Sequence, residues 1–100
     1  MVTHDFRLAP PRSILFAPGS RPDLVKKAAA GDADAVCIDL EDGVAAVARD
    51  SARGDLRRTV GDVKDAGKPA LVRINADPSD YAEDIEALPP AVDAVVLAKA

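Results

Sequence analysis

The stretch Ala35-Val36-Cys37-Ile38-Asp39-Leu40-Glu41-Asp42-Gly43 decides the fold, because an unbroken apolar run ends abruptly in carboxylates and a glycine. A strand with one solvated face alternates apolar and polar residues, whereas a strand covered on both faces is apolar throughout. Similar apolar runs lie at 14–17, 70–74 and 94–97. The four runs therefore predict four strands of a parallel sheet, each covered on both faces.

Helical patterns separate these runs. Ser20-Arg21-Pro22-Asp23 predicts a helix start with a capping hydroxyl and an early proline, and Gly31 predicts the end of that helix. A second helix is predicted over about 46–65, with an apolar stripe at Ala52, Leu56, Val60 and Val63.

A third helix is predicted to begin at Ser79 and to end before Pro89-Pro90, with a stripe at Ala82, Ile85 and Leu88. Strands that alternate with helices predict right-handed crossovers, and hence an α/β fold with a parallel sheet. The fourth strand is followed by no helical pattern. Either it lies at a sheet edge, or the chain is the front portion of a longer barrel domain.

Composition limits the class of protein. The 100 residues include 13 basic and 17 acidic side chains, a net charge of −4 and one cysteine. An acidic chain without a basic cluster argues against nucleic-acid binding, and one cysteine cannot form an internal disulfide. No apolar run approaches the roughly 20 residues of a membrane span. We expect residues 1–11 to be a leader that is not a secretory signal, and 12–100 to belong to one domain of a cytoplasmic protein.

Functional groups in parallel α/β folds lie after the carboxyl ends of strands. After the first strand, Gly19 precedes a capped helix, which is either an ordinary tight turn or a weak anion site. After the second, Asp39, Glu41 and Asp42 crowd one turn. Like charges this close need a neutralising partner, so the cluster indicates either a nearby Mg²⁺ or a solvated acidic turn.

The third strand carries an arginine in an apolar setting. Arg73 must be paired, either with a substrate carboxylate or in a salt bridge to the acidic cluster. Asn75, just beyond it, either binds the same ligand or turns the chain. Cys37 is predicted to be a small core residue, and His4 lies in the leader without a catalytic partner.

Taken together, the strings 12–19, 34–44, Ala52-Arg53 and Val72-Arg73-Ile74-Asn75 resemble the citrate lyase β-subunit-like family. These are CoA-ester lyases of the HpcH/HpaI aldolase group, which includes the malyl-CoA lyases. The resemblance runs from Arg12 to Ala100 and implies the first half of a (β/α)₈ barrel, the rest of which lies beyond the chain.

The resemblance also implies a reaction and its residues. It implies Mg²⁺ at the barrel mouth and a C–C bond made or broken between a 2-oxo acid and an acyl-CoA thioester, as with citryl-CoA or malyl-CoA. Arg73 matches the arginine that grips a substrate carboxylate. Glu41 and Asp42 match catalytic acids that reach the metal through water, whereas the direct metal ligands fall beyond Ala100.

Two other functions are compatible with parts of this pattern. One is a barrel that binds a small oxo acid without catalysis. The other is a receiver-like signalling domain, which would need its acidic pair after the first strand, where Ala17-Pro18-Gly19 stands instead. We expect residues 1–100 alone to be inactive and the full-length protein to form a homo-oligomer.

Overall fold

The computed structural model describes residues 12–41 and 46–97 of the chain. Its elements follow in the order β1 (Ile14–Pro18), α1 (Pro22–Ala30), β2 (Ala35–Asp39), a 3₁₀ turn (Ala46–Ala48), α2 (Arg49–Gly54), α3 (Leu56–Asp65), β3 (Ala70–Ile74), α4 (Pro78–Ala87) and β4 (Ala94–Leu97). The predicted α/β fold is confirmed.

The four strands form one parallel sheet in the order β1-β2-β3-β4. When each new strand is added beside the previous one and all connections have the same handedness, every connecting helix lies on the same face of the sheet. The packing agrees, because Val25 of α1 and Val60 of α3 share one buried cluster with Ile38 and Val72 of the central strands. This strand order with helices on one face is typical of (β/α)₈ barrels, whereas a doubly wound sheet reverses its strand order and carries helices on both faces.

The two central strands are well covered, and the outer strands are not. Every residue of β2 is buried, and a smaller cluster of Ala35, Cys37 and Leu71 lies on the sheet face opposite the helices. In contrast, Phe16 of β1 and Leu97 of β4 are 46% and 59% exposed. The prediction that all four strands are covered on both faces is therefore wrong for β1 and β4, which have a neighbouring strand on one side only among the described residues.

The predicted second helix differs in detail. It begins as a 3₁₀ turn, and Asp55 separates α2 from α3. The backbone N–H of Asp55 is shared between the carbonyls of Ser51 and Ala52, which tightens the helical turn at this point. The predicted apolar stripe is confirmed, because all four of its residues are fully buried: Ala52, Leu56, Val60 and Val63.

Both predicted helix starts need correction. The N-cap of α1 is Arg21, and no side chain caps this helix, so the predicted hydroxyl cap from Ser20 is wrong. The N-cap of α4 is Asp77, whose side chain accepts a 3.1 Å hydrogen bond from the backbone N–H of Ser79. The helix consequently starts at Pro78, one residue earlier than predicted.

The predicted apolar stripe of α4 is confirmed at Leu88, which is partly buried against the core, and is wrong at its other two positions. Ala82 and Ile85 are exposed, and the fully buried residue of this helix is Asp84. Asp84 faces inward because Asn75 and Arg53 donate hydrogen bonds to its carboxylate there. Among the described residues, no helix combines the length and apolar character needed to cross a membrane.

Candidate functional site

The strand register brings the carboxyl ends of β1, β2 and β3 to one edge of the sheet. Pro18 is aligned with Asp39, and Asp39 is aligned with Arg73. The residues that follow these three positions must therefore lie close together. The backbone N–H of Gly19 donates a 2.8 Å hydrogen bond to the carbonyl oxygen of Asp39.

Gly19 lies where there is little room for a side chain. A Cβ at this position would lie 3.0 Å from Cδ2 of Leu40 and 3.2 Å from the carbonyl oxygen of Asp39. A real side chain would push the β2 exit away from β1. The structure explains the glycine by close packing, and the side chain of Arg21, two residues further on, is paired with Asp23.

Arg73 forms a bidentate ion pair with Asp39. Its Nε donates a 3.1 Å hydrogen bond to Oδ1 of Asp39, and its Nη2 donates to Oδ2. The Asp39 side chain is only 5% exposed, whereas the Arg73 side chain is 24% exposed. The salt bridge to the acidic cluster is therefore present, and it leaves part of the arginine at the surface, where a ligand can reach it.

Two further groups surround the same guanidinium. Oε1 of Glu41 lies 3.9 Å from Nη2 of Arg73, and the Phe16 ring centre lies 4.9 Å from its Cζ. Such a distance to the ring is within the range of a cation–π interaction. The structure thus brings Arg73 and Glu41 together, with Asp39 and Phe16 fixing the arginine between them.

Asp42 and His4 lie outside the described residues, and so does Lys99 after the fourth strand, which by sequence is either an anion contact or an ordinary surface residue. Within 12–41 and 46–97, no group of three or more His, Cys, Asp or Glu side chains could hold a metal ion. The half-exposed carboxylate of Glu41 fits an oxygen contact to a hard cation through water, whereas the Asp39 carboxylate is engaged by Arg73.

The predicted core role of Cys37 is confirmed. Its thiol is free and fully buried beneath the site. Burial and the nearby charge of Asp39 raise the pKa of Cys37 to about 12, although Arg73 acts in the opposite direction. The thiol is therefore protonated at neutral pH and unsuited to nucleophilic attack.

Asn75 is engaged within the protein. Its Nδ2 donates to the carbonyl oxygen of Leu40 at 3.1 Å and to Oδ2 of Asp84 at 2.8 Å. Asp84 also accepts a 2.7 Å hydrogen bond from Nε of Arg53. The Asn75 amide nitrogen thus connects Leu40 to Asp84, a role that differs from both the ligand contact and the chain turn considered from the sequence.

Phe16 contacts Arg73 directly, whereas Arg53 and Asp84 are connected to the site through Asn75, and the sequence predicted a part in it for none of the three. Phe16 could have been found, because it precedes the end of β1 by two residues and so shares the sheet face of the strand end. Asp84 gave no comparable signal, since a carboxylate in a charged helix is usually exposed. Arg53 was present in the resemblance but without a role.

The sequence of this chain is similar to those of known proteins. A family model described as HpcH/HpaI aldolase/citrate lyase matches residues 12–100. A citrate lyase subunit beta-like protein of Deinococcus radiodurans is 44% identical over 100 residues, which cover 91% of this chain and 35% of that protein. An L-malyl-CoA/beta-methylmalyl-CoA lyase of Cereibacter sphaeroides is 43% identical over 76 residues, covering 70% and 24% of the two chains.

Solved structures show the same likeness. The CitE protein of Mycobacterium tuberculosis in complex with magnesium and pyruvate has a TM-score of 0.68 at 41% identity, covering 96% of this chain and 38% of that one. The same protein with magnesium, acetoacetate and coenzyme A has a TM-score of 0.62 at 40% identity, covering 87% and 32%. The chain thus spans between a quarter and two fifths of the length of these relatives. Because the family model matches residues 12–100 and the solved relatives share the fold at about 40% identity, the chain belongs to the HpcH/HpaI aldolase/citrate lyase family.

Proposed function

We propose that this chain forms the first four strands of a (β/α)₈ barrel, and that the whole protein is a Mg²⁺-dependent CoA-ester lyase. Its substrate would be the CoA thioester of a hydroxy acid, of the citryl-CoA or malyl-CoA type, cleaved to a 2-oxo acid and an acyl-CoA. The observation that carries the proposal is the partly exposed Arg73 guanidinium, which lies beside Glu41 at the carboxyl ends of the strands.

Arg73 would bind the carboxylate of the 2-oxo acid. A guanidinium offers planar, paired donors that match a carboxylate, and here Asp39 and Phe16 already restrict its orientation. Because the guanidinium is already restricted, the arginine side chain loses less conformational freedom when the substrate binds. The reacting carbon of the substrate is then held in a defined position. The ion pair with Asp39 also limits the excess positive charge at the site before substrate arrives.

Glu41 and Asp42 would act beside the metal. Mg²⁺, when bound, supplies a Lewis acid that stabilises negative charge on the oxo-acid carbonyl. The side chain of Glu41 is 35% exposed, so its carboxylate can accept hydrogen bonds from water. We propose that both acids contact the metal through water, and that its direct ligands come from later strands of the whole protein.

The direct test is cleavage of citryl-CoA and L-malyl-CoA by the whole protein, with and without Mg²⁺. We expect one of the two thioesters to release its 2-oxo acid, and we expect removal of the metal by a chelator to stop the reaction. Binding of oxaloacetate with Mg²⁺ but no cleavage of either thioester would instead indicate a non-catalytic oxo-acid-binding barrel.

The receiver-like alternative receives no support from the sheet, because its doubly wound order requires a reversal that β1-β2-β3-β4 does not contain. The cytoplasmic location and the homo-oligomeric assembly of the full-length protein stay predictions. The proposed partners are a 2-oxo acid and an acyl-CoA thioester, and the proposed reaction requires neither a nucleic acid nor a membrane.

A further inference from the structure

A chain of buried polar groups connects the helix layer to the strand-end site. Asp84 of α4 is fully buried, and its carboxylate accepts three hydrogen bonds: from the backbone N–H of Asn75 at 2.8 Å, from Nδ2 of Asn75 at 2.8 Å, and from Nε of Arg53 at 2.7 Å. A buried carboxylate without such partners would be strongly destabilising. The three donors therefore explain why α4 turns an acid, rather than Ile85, towards the sheet.

Arg53 is held by carboxylates from two helices. Besides Asp84 it donates to Oδ1 of Asp80 at 2.8 Å, to Oε2 of Glu83 at 2.7 Å and to Oδ1 of Asp50 at 2.8 Å. Its side chain is 9% exposed, so α2 and α4 are joined by a largely desolvated guanidinium. Such charge-assisted bonds are short and geometrically demanding, which gives Asp84 one defined position.

The other end of this series of hydrogen-bonded groups reaches the backbone of the site. Nδ2 of Asn75 donates to the carbonyl oxygen of Leu40, while the N–H of Leu40 donates to the carbonyl oxygen of Arg73 at 2.9 Å. Both backbone groups of Leu40, its N–H and its C=O, are thus hydrogen-bonded. The next N–H, that of Glu41, donates to Oδ1 of Asp39 at 2.9 Å, and the same oxygen accepts from Nε of Arg73.

We propose that Asn75, Asp84 and Arg53 are positioning residues that fix the Leu40–Glu41 peptide and thereby the placement of Glu41 against Arg73. None of the three needs to touch substrate, because they act through the backbone of β2 and its exit. The part of this inference that concerns substrate binding rests on the proposed function.

The variants are Asn75→Ala, which removes the link to Leu40, and Asp84→Asn, which keeps the shape but removes the charge that orients Arg53 and Asn75. The matched control is Lys64→Met. It breaks the 2.7 Å ion pair between Lys64 and the buried Asp93, which joins α3 to the opposite end of the sheet, where Asp93 accepts from the N–H of Ala70. All three changes disturb a buried polar contact, but only the first two lie on the proposed path.

The first readout is hydrogen exchange of the Leu40 and Glu41 amides in the whole protein. We expect exchange about 10-fold faster in Asn75→Ala and Asp84→Asn, the effect of one lost hydrogen bond, and little change in Lys64→Met. Exchange that is unchanged in the first two variants, or equally faster in all three, overturns the proposal. This readout requires no ligand and decides the inference even if the proposed function fails.

The second readout is the Kd of oxaloacetate with Mg²⁺, measured in the whole protein. We expect it to rise about 10-fold in both positioning variants and to stay within about twofold in Lys64→Met, at comparable losses of Tm. Equal Kd values in wild type and both positioning variants overturn the link to the site. Failure of the wild type to bind oxaloacetate contradicts the proposed function instead, and the exchange rates then decide the positioning role.

Discussion

At the scale of single residues, the site is built around one guanidinium with several partners. Asp39 holds two nitrogens of Arg73, the Phe16 ring lies under its plane, and Glu41 stands 3.9 Å away. A lysine in the same place would keep the charge but lose the planar fork that allows these contacts together. The identity of this residue, and not only its charge, is therefore testable.

We expect Arg73→Lys to weaken binding of oxaloacetate or glyoxylate by about 1–3 kcal/mol, because the paired hydrogen bonds to a carboxylate are lost. Calorimetry on the whole protein measures this affinity. The control is Arg58→Lys on the exposed side of α3, which should leave the affinity unchanged. Equal affinity in Arg73→Lys and wild type would show that Arg73 serves only its ion pair with Asp39.

We expect Glu41→Gln to raise the Mg²⁺ concentration needed for activity about 10-fold, because a neutral amide attracts the cation and its water less strongly than a carboxylate does. A Mg²⁺ titration of the whole enzyme measures this change, with the exposed Glu86→Gln on α4 as the control. A titration curve that coincides with that of the wild type would leave Glu41 as part of a solvated turn.

At the scale of elements, the sheet edge depends on how closely β1 and β2 approach. Gly19 allows that approach, since a Cβ there would meet Leu40 and the backbone of Asp39. In α3 the situation is the reverse, because a Cβ on Gly61 would meet no atom within 4 Å. These two glycines give a matched pair of identical chemical changes at a crowded and an open position.

We expect Gly19→Ala to destabilise the fold by about 1–3 kcal/mol through overpacking. By contrast, Gly61→Ala should stabilise it by up to about 1 kcal/mol, because alanine loses less conformational entropy in a helix. Urea unfolding followed by circular dichroism measures both. Equal effects of the two substitutions would mean that the β1–β2 exit can move without cost.

At the scale of the whole molecule, the two outer strands carry exposed apolar side chains. Leu15 and Phe16 of β1 are 47% and 46% exposed, and Val95 and Leu97 of β4 are 46% and 59% exposed. In the described residues these strands have unpaired outer edges, and such edges favour pairing with another chain. The Deinococcus radiodurans relative is about three times as long as this chain.

We expect the 100-residue chain alone to self-associate, because the described part of it exposes apolar side chains on two open strand edges. We also expect it to show no lyase activity, because the described part of it holds no set of metal ligands. Sedimentation velocity measures the association, and Leu97→Lys should reduce it by placing a charge at the β4 edge. A monodisperse monomer, or turnover of a CoA thioester by these residues alone, would contradict this expectation.

Sequence alone was sufficient for the fold class and for the location of the site. Apolar runs such as 35–38, separated by segments with helical periodicity, predicted the parallel sheet. This was possible because strands and helices can each be recognised from the pattern of neighbouring residues. The rule that parallel strands place functional groups at their carboxyl ends then selected Glu41 and Arg73, which the structure brings together. The candidate roles of these residues stay predictions.

Only the tertiary structure decided which partners the polar residues have. Spacing left Arg73 with two possible partners, and the β2–β3 register brings its side chain to Asp39. The stripe of α4 suggested Ile85 for the core, yet Asp84 is buried there because Arg53, 31 residues earlier, and Asn75, on the far side of the helix start, supply donors. Periodicity reports which positions share a face, but the burial of a charge depends on contacts across about 30 residues of sequence, and those exist only once the chain has folded.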